Sequence, residues 1–271
     1  MLWIHLLAGR GLRATPEGAQ LPQQQTSVRD LYCVLECDRI HKARTVVRSG
    51  DLQFDWDESF ELDLVSNKQL DVLVYSWDPQ HRHKLCYRGA VSLSTLLRQS
   101  PLHQLALKVE PRGTIYLRLR YTDPTTLYRR RGLPSLRAGY PQLFGADLEA
   151  VVTREAKLNP GQAPVPIVLR RCVEEIERRG LDIIGLYRLC GSATKKRLLR
   201  EAFERNCRAV ELTPDHVPDI NVITGVLKDY LRELPEPLFT RCLFQMTVDA
   251  LGENSERLLL SCAQNTNNYS F

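Results

Sequence analysis

The hydrophobic period changes once along this chain, and that change limits what it can fold into. Up to Tyr121 apolar and polar residues alternate. In Gly113-Thr114-Ile115-Tyr116-Leu117-Arg118-Leu119-Arg120-Tyr121 the alternation puts Ile115, Leu117, Leu119 and Tyr121 on one face of a strand. Further strand candidates are the first residues of the chain, Tyr32–Leu35, Arg44–Val47, Ser59–Leu64, Leu70–Tyr75, Gly89–Leu93 and Leu105–Val109. About eight short strands with turn-rich connections predict an all-β antiparallel sandwich. The Gln-, Pro- and Gly-rich stretch Thr15–Ser27 reads as a long, mobile loop.

From Asp147 the period becomes helical. Val168, Leu169, Cys172, Val173 and Ile176 share a face of a helix that Gly180 stops. Leu198, Leu199, Ala202 and Phe203 mark a second, with Ser192 or Thr194 as N-cap. Ile220, Ile223, Leu227, Leu231 and Leu234 mark a third, with Asp219 as cap and Pro235 as stop. The chain therefore reads as two domains, all-β then all-α, and its 271 residues suffice for two cores.

Charge narrows the function classes. The net charge is +5, and four arginines (Arg129, Arg130, Arg131, Arg137) fall within 124–145, where there is no acid. The basic excess thus lies in the connector and not on a folded face, which argues against a nucleic-acid-binding protein. The eight cysteines form no C-x-x-C pair and read as small buried hydrophobes in a reducing compartment. The apolar start is too short to span a bilayer and lacks a basic n-region, so the expectation is a cytoplasmic protein, peripheral where it meets a membrane.

Two runs carry the chemistry. Arg188 stands alone in Gly185-Leu186-Tyr187-Arg188-Leu189-Cys190-Gly191. A lone arginine on a glycine-flanked loop suits a guanidinium that must enter another protein's active site, and it equally suits a solvated side chain. Lys228 and Arg232, four apart in Lys228-Asp229-Tyr230-Leu231-Arg232-Glu233-Leu234-Pro235-Glu236-Pro237-Leu238, share a helix face. They read as two solvated cations or as a surface for a partner's carboxylates. Together these runs resemble the two signatures of the GTPase-activating domain of the Rho family (RhoGAP), and Leu143–Leu148 and Val165–Val168 fit as well. The resemblance implies that Arg188 is the catalytic arginine finger, with Lys228 and Arg232 supporting it and the G-protein interface. Cys190 stands where a serine is commoner. The implied partner is a GTP-bound Rho-family small GTPase, whose hydrolysis the chain stimulates without a cofactor or a hydrolase site of its own.

The resemblance covers about residues 143–262, roughly the first two thirds of such a domain. The family's third signature, with a partner-contacting asparagine, has no counterpart here, and residues 263–271 match nothing in it. The expectation is a truncated domain that leaves apolar side chains among Leu198, Leu199, Phe203, Ile223 and Leu227 exposed, with an unpacked tail.

Residues 1–123 resemble a C2 domain, on Leu6–Leu12, Asp30-Leu31-Tyr32, Phe54–Phe60 and Tyr75-Ser76-Trp77-Asp78. Calcium needs about five or six hard oxygens. Only Asp30 and Asp78 stand at matching positions, with Pro79, Gln80, His81, Arg82, His83 and Lys84 following, so no metal is expected. Arg39, Lys42 and Arg44 are candidates for contact with anionic lipid, or the solvated face of an edge strand. Residues 124–142 are the basic linker. The order of the two modules is similar to that of the synapse-defective (Syd-1-like) Rho activators. The alternative function is a non-catalytic membrane or protein adaptor, or an inactive truncated isoform.

Overall fold

In a computed structural model the chain is described over residues 1–12, 28–123, 143–158 and 164–252. Nine strands run β1 (Leu2–Arg10), β2 (Arg29–Cys37), β3 (Ile40–Arg44), β4 (Arg48–Gly50), β5 (Gln53–Leu62), β6 (Gln69–Ser76), β7 (Leu85–Ser92), β8 (Leu102–Lys108) and β9 (Thr114–Tyr121) among the described residues. A short helix, α1 (Leu93–Gln99), follows β7. The strands form two antiparallel sheets, ordered β5-β1-β9-β8 and β3-β2-β6-β7, with β4 also paired to β2.

Alternation builds the interior. Leu2, Ile4 and Leu6 of β1 and Ile115, Leu117 and Leu119 of β9 are buried, and the two strands pair with Ile4 opposite Leu119. From β5, Phe54, Trp56 and Phe60 enter the same core, Phe54 stacking on Trp56 at 5.9 Å between ring centroids. Large apolar side chains of this kind contribute about 1.5–3 kcal/mol each when withdrawn from water.

Among the strand boundaries that differ from the sequence reading, three stand out. The strand expected at Arg44–Val47 lies at Ile40–Arg44, because at Thr45 the side chain takes over half of the pairing with β2. Its hydroxyl and its amide bond the Cys33 amide and carbonyl, both at 2.9 Å. The strand expected from Ser59 begins at Gln53, the aromatic Phe54 and Trp56 extending the buried face. Leu93, assigned to a strand, opens α1 instead.

The helices are α2 (Leu148–Leu158), α3 (Ile167–Arg179), α4 (Ala193–Asn206), α5 (Ile220–Arg232) and α6 (Arg241–Gly252). Gly180 ends α3 at φ +114°, its amide reaching back to the carbonyls of Ile176 and Glu177. Ser192 caps α4, and the Asp219 carboxylate receives the Asn221 amide at 2.9 Å at the start of α5. The buried stripe of α3 is Val168, Cys172 and Ile176, whereas Val173 faces solvent, one residue off the stripe. Glu175 is buried in its stead, held by Arg178 and Arg179 at 2.7 Å each.

The described residues group into two compact units, the sandwich together with residues 165–228, and residues 143–158 together with 229–252. In the second, Phe144 meets Tyr230 edge-on at 5.6 Å. Of the five apolar positions among which exposure was expected, Leu198 is exposed, at 52%. Leu199, Phe203, Ile223 and Leu227 are buried, since each i, i+4 pair forms the inward stripe of its own helix and Leu198 sits beside that stripe. The loop Thr15–Ser27, the linker 124–142 and the tail 263–271 lie outside the described residues.

Candidate functional site

The loop between α3 and α4 is built by its backbone. Gly185 takes φ +81° and Tyr187 φ +64°, both left-handed, and the Arg188 and Leu189 amides each donate to the Gly185 carbonyl at 2.9 Å. This tight turn lifts Arg188 out of the helical layer, where it is exposed. At the other end of the loop, a Cβ on Gly191 would lie 2.6 Å from the Val222 amide nitrogen, so glycine lets the loop run against α5.

Lys228 reaches across from α5 and donates from Nζ to the Tyr187 carbonyl at 2.9 Å. The structure thus brings Lys228 to the loop that carries Arg188. Arg232 lies one turn further along α5, exposed at its end.

What the sequence reading missed is the sandwich edge beside this loop. Arg188 Nη1 donates to the His41 carbonyl at 2.6 Å, and the Cys190 amide donates to the Lys42 carbonyl at 2.8 Å. Cys190 and Ala43 form a parallel bridge, and the Cys190 side chain packs on the margin of the sandwich core that holds Cys37 and Ala43. Burial there pushes the Cys190 thiol pKa up. His41 is half-buried at the same place with its Nε2 unpartnered. Burial, then the charges of Arg188 and Arg44, lower its pKa, against a backbone hydrogen bond at Ala43 that raises it. Backbone acceptors leave no mark in a sequence, and the only hint was Ala43, a small apolar residue within a basic run.

Of the candidate lipid-contacting cations, Arg39 is exposed in the β2–β3 turn at φ +66°, and Lys42 is half-buried. Arg44 lies over the Tyr32 ring at 5.9 Å. Tyr32 stacks on Tyr75 at 5.7 Å and its hydroxyl bonds His83 Nδ1 at 2.8 Å, so the cation sits on an aromatic ledge.

Asp30 and Asp78 fall at one end of the sandwich, where the Trp77 amide donates to the Asp30 carbonyl at 2.7 Å. The Asp30 carboxylate accepts from the Ser49 hydroxyl. The Asp78 carboxylate accepts from the Gln80 amide at 2.8 Å and from the His81 amide and ring at 3.1 and 3.0 Å, bonds that hold its pKa low. Among the described residues no group of three or more His, Cys, Asp or Glu side chains is placed to hold a metal ion.

Comparison with known proteins agrees with this two-part construction. Residues 4–125 match the C2 domain of synapse defective Rho GAP protein, and residues 166–266 match the RhoGAP domain. Rho GTPase-activating protein 100F of Drosophila melanogaster is 83% identical over 268 residues, covering 96% of this chain and 14% of that protein. Rho GTPase-activating protein SYDE1 of Rattus norvegicus is 44% identical over 273 residues, 96% of this chain and 34% of that one. The chain therefore spans about a seventh and about a third of the lengths of these relatives. Among solved structures, human Rho GTPase activating protein 15 aligns with TM-score 0.40 and 33% identity over 51% of this chain and 65% of its own. The chain joins a C2 domain of the synapse-defective type to a RhoGAP domain, and over 96% of its length it resembles the Rho GTPase-activating proteins of that group.

Proposed function

We propose that the chain stimulates GTP hydrolysis by a Rho-type small G protein, with Arg188 as the finger and Lys228 and Arg232 as its support. The observation that carries this reading is the loop itself. Arg188 is exposed on a turn fixed by Gly185, and the Lys228 ammonium is bonded to the carbonyl next to it. A phosphoryl group in flight spreads charge over its equatorial oxygens, and a guanidinium supplied in trans neutralises it. Such a residue is worth on the order of 10³–10⁵ in rate. Lys228 would hold the loop backbone in its turn, through the Tyr187 carbonyl. The names of the relatives support the same reading.

The sandwich would act as a calcium-independent targeting module for an anionic membrane or a protein, through Arg39, Lys42 and Arg44. The engaged carboxylates of Asp30 and Asp78 support the calcium independence. The chain would work on the cytoplasmic side, peripheral to the membrane. The test is single-turnover hydrolysis by GTP-loaded Rho-type proteins with and without the chain. Acceleration upholds the activity, and rates equal to the intrinsic one leave the adaptor reading standing.

A further inference from the structure

Strands β3 and β5 are the end strands of their sheets, where unpaired backbone groups are open to a neighbour. On β3 the ladder with β2 pairs Ala43 with Leu35 and His41 with Glu36, and skips Lys42. Lys42 is the extra residue of a β-bulge, and a bulge turns its backbone groups off the ladder. Its carbonyl is the one that accepts the Cys190 amide, and the adjacent His41 carbonyl accepts Arg188. On β5, Glu61 forms an ion pair with Lys196 in the first turn of α4, both side chains being largely withdrawn from water. The two edge strands are thus joined to the finger loop and the helix after it at three places, two on β3 and one on β5.

We propose that this contact is an autoinhibitory latch: the sandwich edge holds the finger loop against itself, and a partner G protein must displace β3 before Arg188 can reach its nucleotide. The proposal rests on reading Arg188 as the finger. A guanidinium bonded to a carbonyl of its own chain cannot lie at the same time among another protein's phosphates. Cys190, seated on the margin of the sandwich core, anchors the loop on the side away from Gly185. The latch lowers the apparent activity to the fraction of molecules in which the loop is undocked.

Glu61 and Lys196 lie outside the finger loop, so the ion pair tests the latch without touching the proposed catalytic group. In the full chain, Glu61→Lys should raise single-turnover GTP hydrolysis about fivefold, as expected for a partly buried pair at an interface. Lys196→Glu alone should do the same, and the double exchange should restore the parental rate. Hydrogen exchange at the Cys190 amide should speed up in each single variant and slow again in the double. If neither single variant hydrolyses faster than the parent, the latch is overturned. If Arg188→Ala leaves the acceleration of Glu61→Lys intact, the finger assignment fails instead. The exchange contrast then decides the docking alone: unchanged protection of the Cys190 amide across all four chains overturns it too.

Discussion

At the scale of single residues, chemistry in this chain depends on glycines as much as on arginine. Gly191 passes so close to α5 that an added methyl would meet the Val222 nitrogen at 2.6 Å and the Asn221 carbonyl carbon at 2.8 Å. Both are backbone atoms of a helix and cannot swing aside. Gly191→Ala should therefore cost about 1–3 kcal/mol of stability, read as a lowered denaturant midpoint, and should move the loop enough to slow hydrolysis. A midpoint equal to the parent's would mean that the loop does not run against α5. Arg188, Lys228 and Arg232 could be named from the sequence because each belongs to a long motif with fixed spacing. The partners of Arg188 and Cys190 could not, because they are carbonyls of His41 and Lys42, identical in every residue.

At the scale of elements, periodicity located strands and helices well and their faces less well. The β9 face was legible because Ile115, Leu117 and Leu119 alternate cleanly. On α3, Val173 was read as buried and Glu175 was not, because a carboxylate enters a helix's inner face only with cations beside it. Arg178 and Arg179 supply them from the same helix. Strand β3 carries a pH dependence of its own. The folded pKa of His41 lies below its ordinary value, chiefly through burial, with Arg188 and Arg44 adding repulsion. Well above about pH 6.5 the imidazole is neutral both docked and undocked, and the contact has its full strength. As pH falls below that value the undocked or unfolded form takes up the proton first, so the contact weakens on acidification. Protection of the Cys190 amide, corrected for intrinsic exchange, should thus fall as pH drops through about 6.5. His41→Gln should flatten the response. Protection rising with acid would reverse the assignment.

At the scale of the whole molecule, the order of the two modules was legible and their grouping was not. The helical residues 165–228 cluster with the sandwich, and their contacts include those of Glu61 on β5 and of the His41 and Lys42 carbonyls on β3, which no sequence pattern marks. Burial of Leu199, Phe203, Ile223 and Leu227, by contrast, follows from the i, i+4 stripe of each helix. The charge carried on β3 predicts how the chain meets a membrane. Binding to vesicles containing anionic lipid should weaken as salt rises from about 0.05 to 0.5 M, and should not respond to micromolar Ca²⁺. Replacing Arg39, Lys42 and Arg44 together by alanine should reduce it by at least about tenfold, at roughly 1 kcal/mol per cation. A clear rise in binding with Ca²⁺ would contradict the account of Asp30 and Asp78.

The role of Arg188 is tested by single-turnover GTP hydrolysis by a Rho-type protein at saturating amounts of the chain, parent against Arg188→Ala, with affinity for the G protein measured alongside. The account predicts that the substitution lowers the accelerated rate by at least about a hundredfold while affinity changes by less than about tenfold. Equal acceleration by the two chains would contradict it.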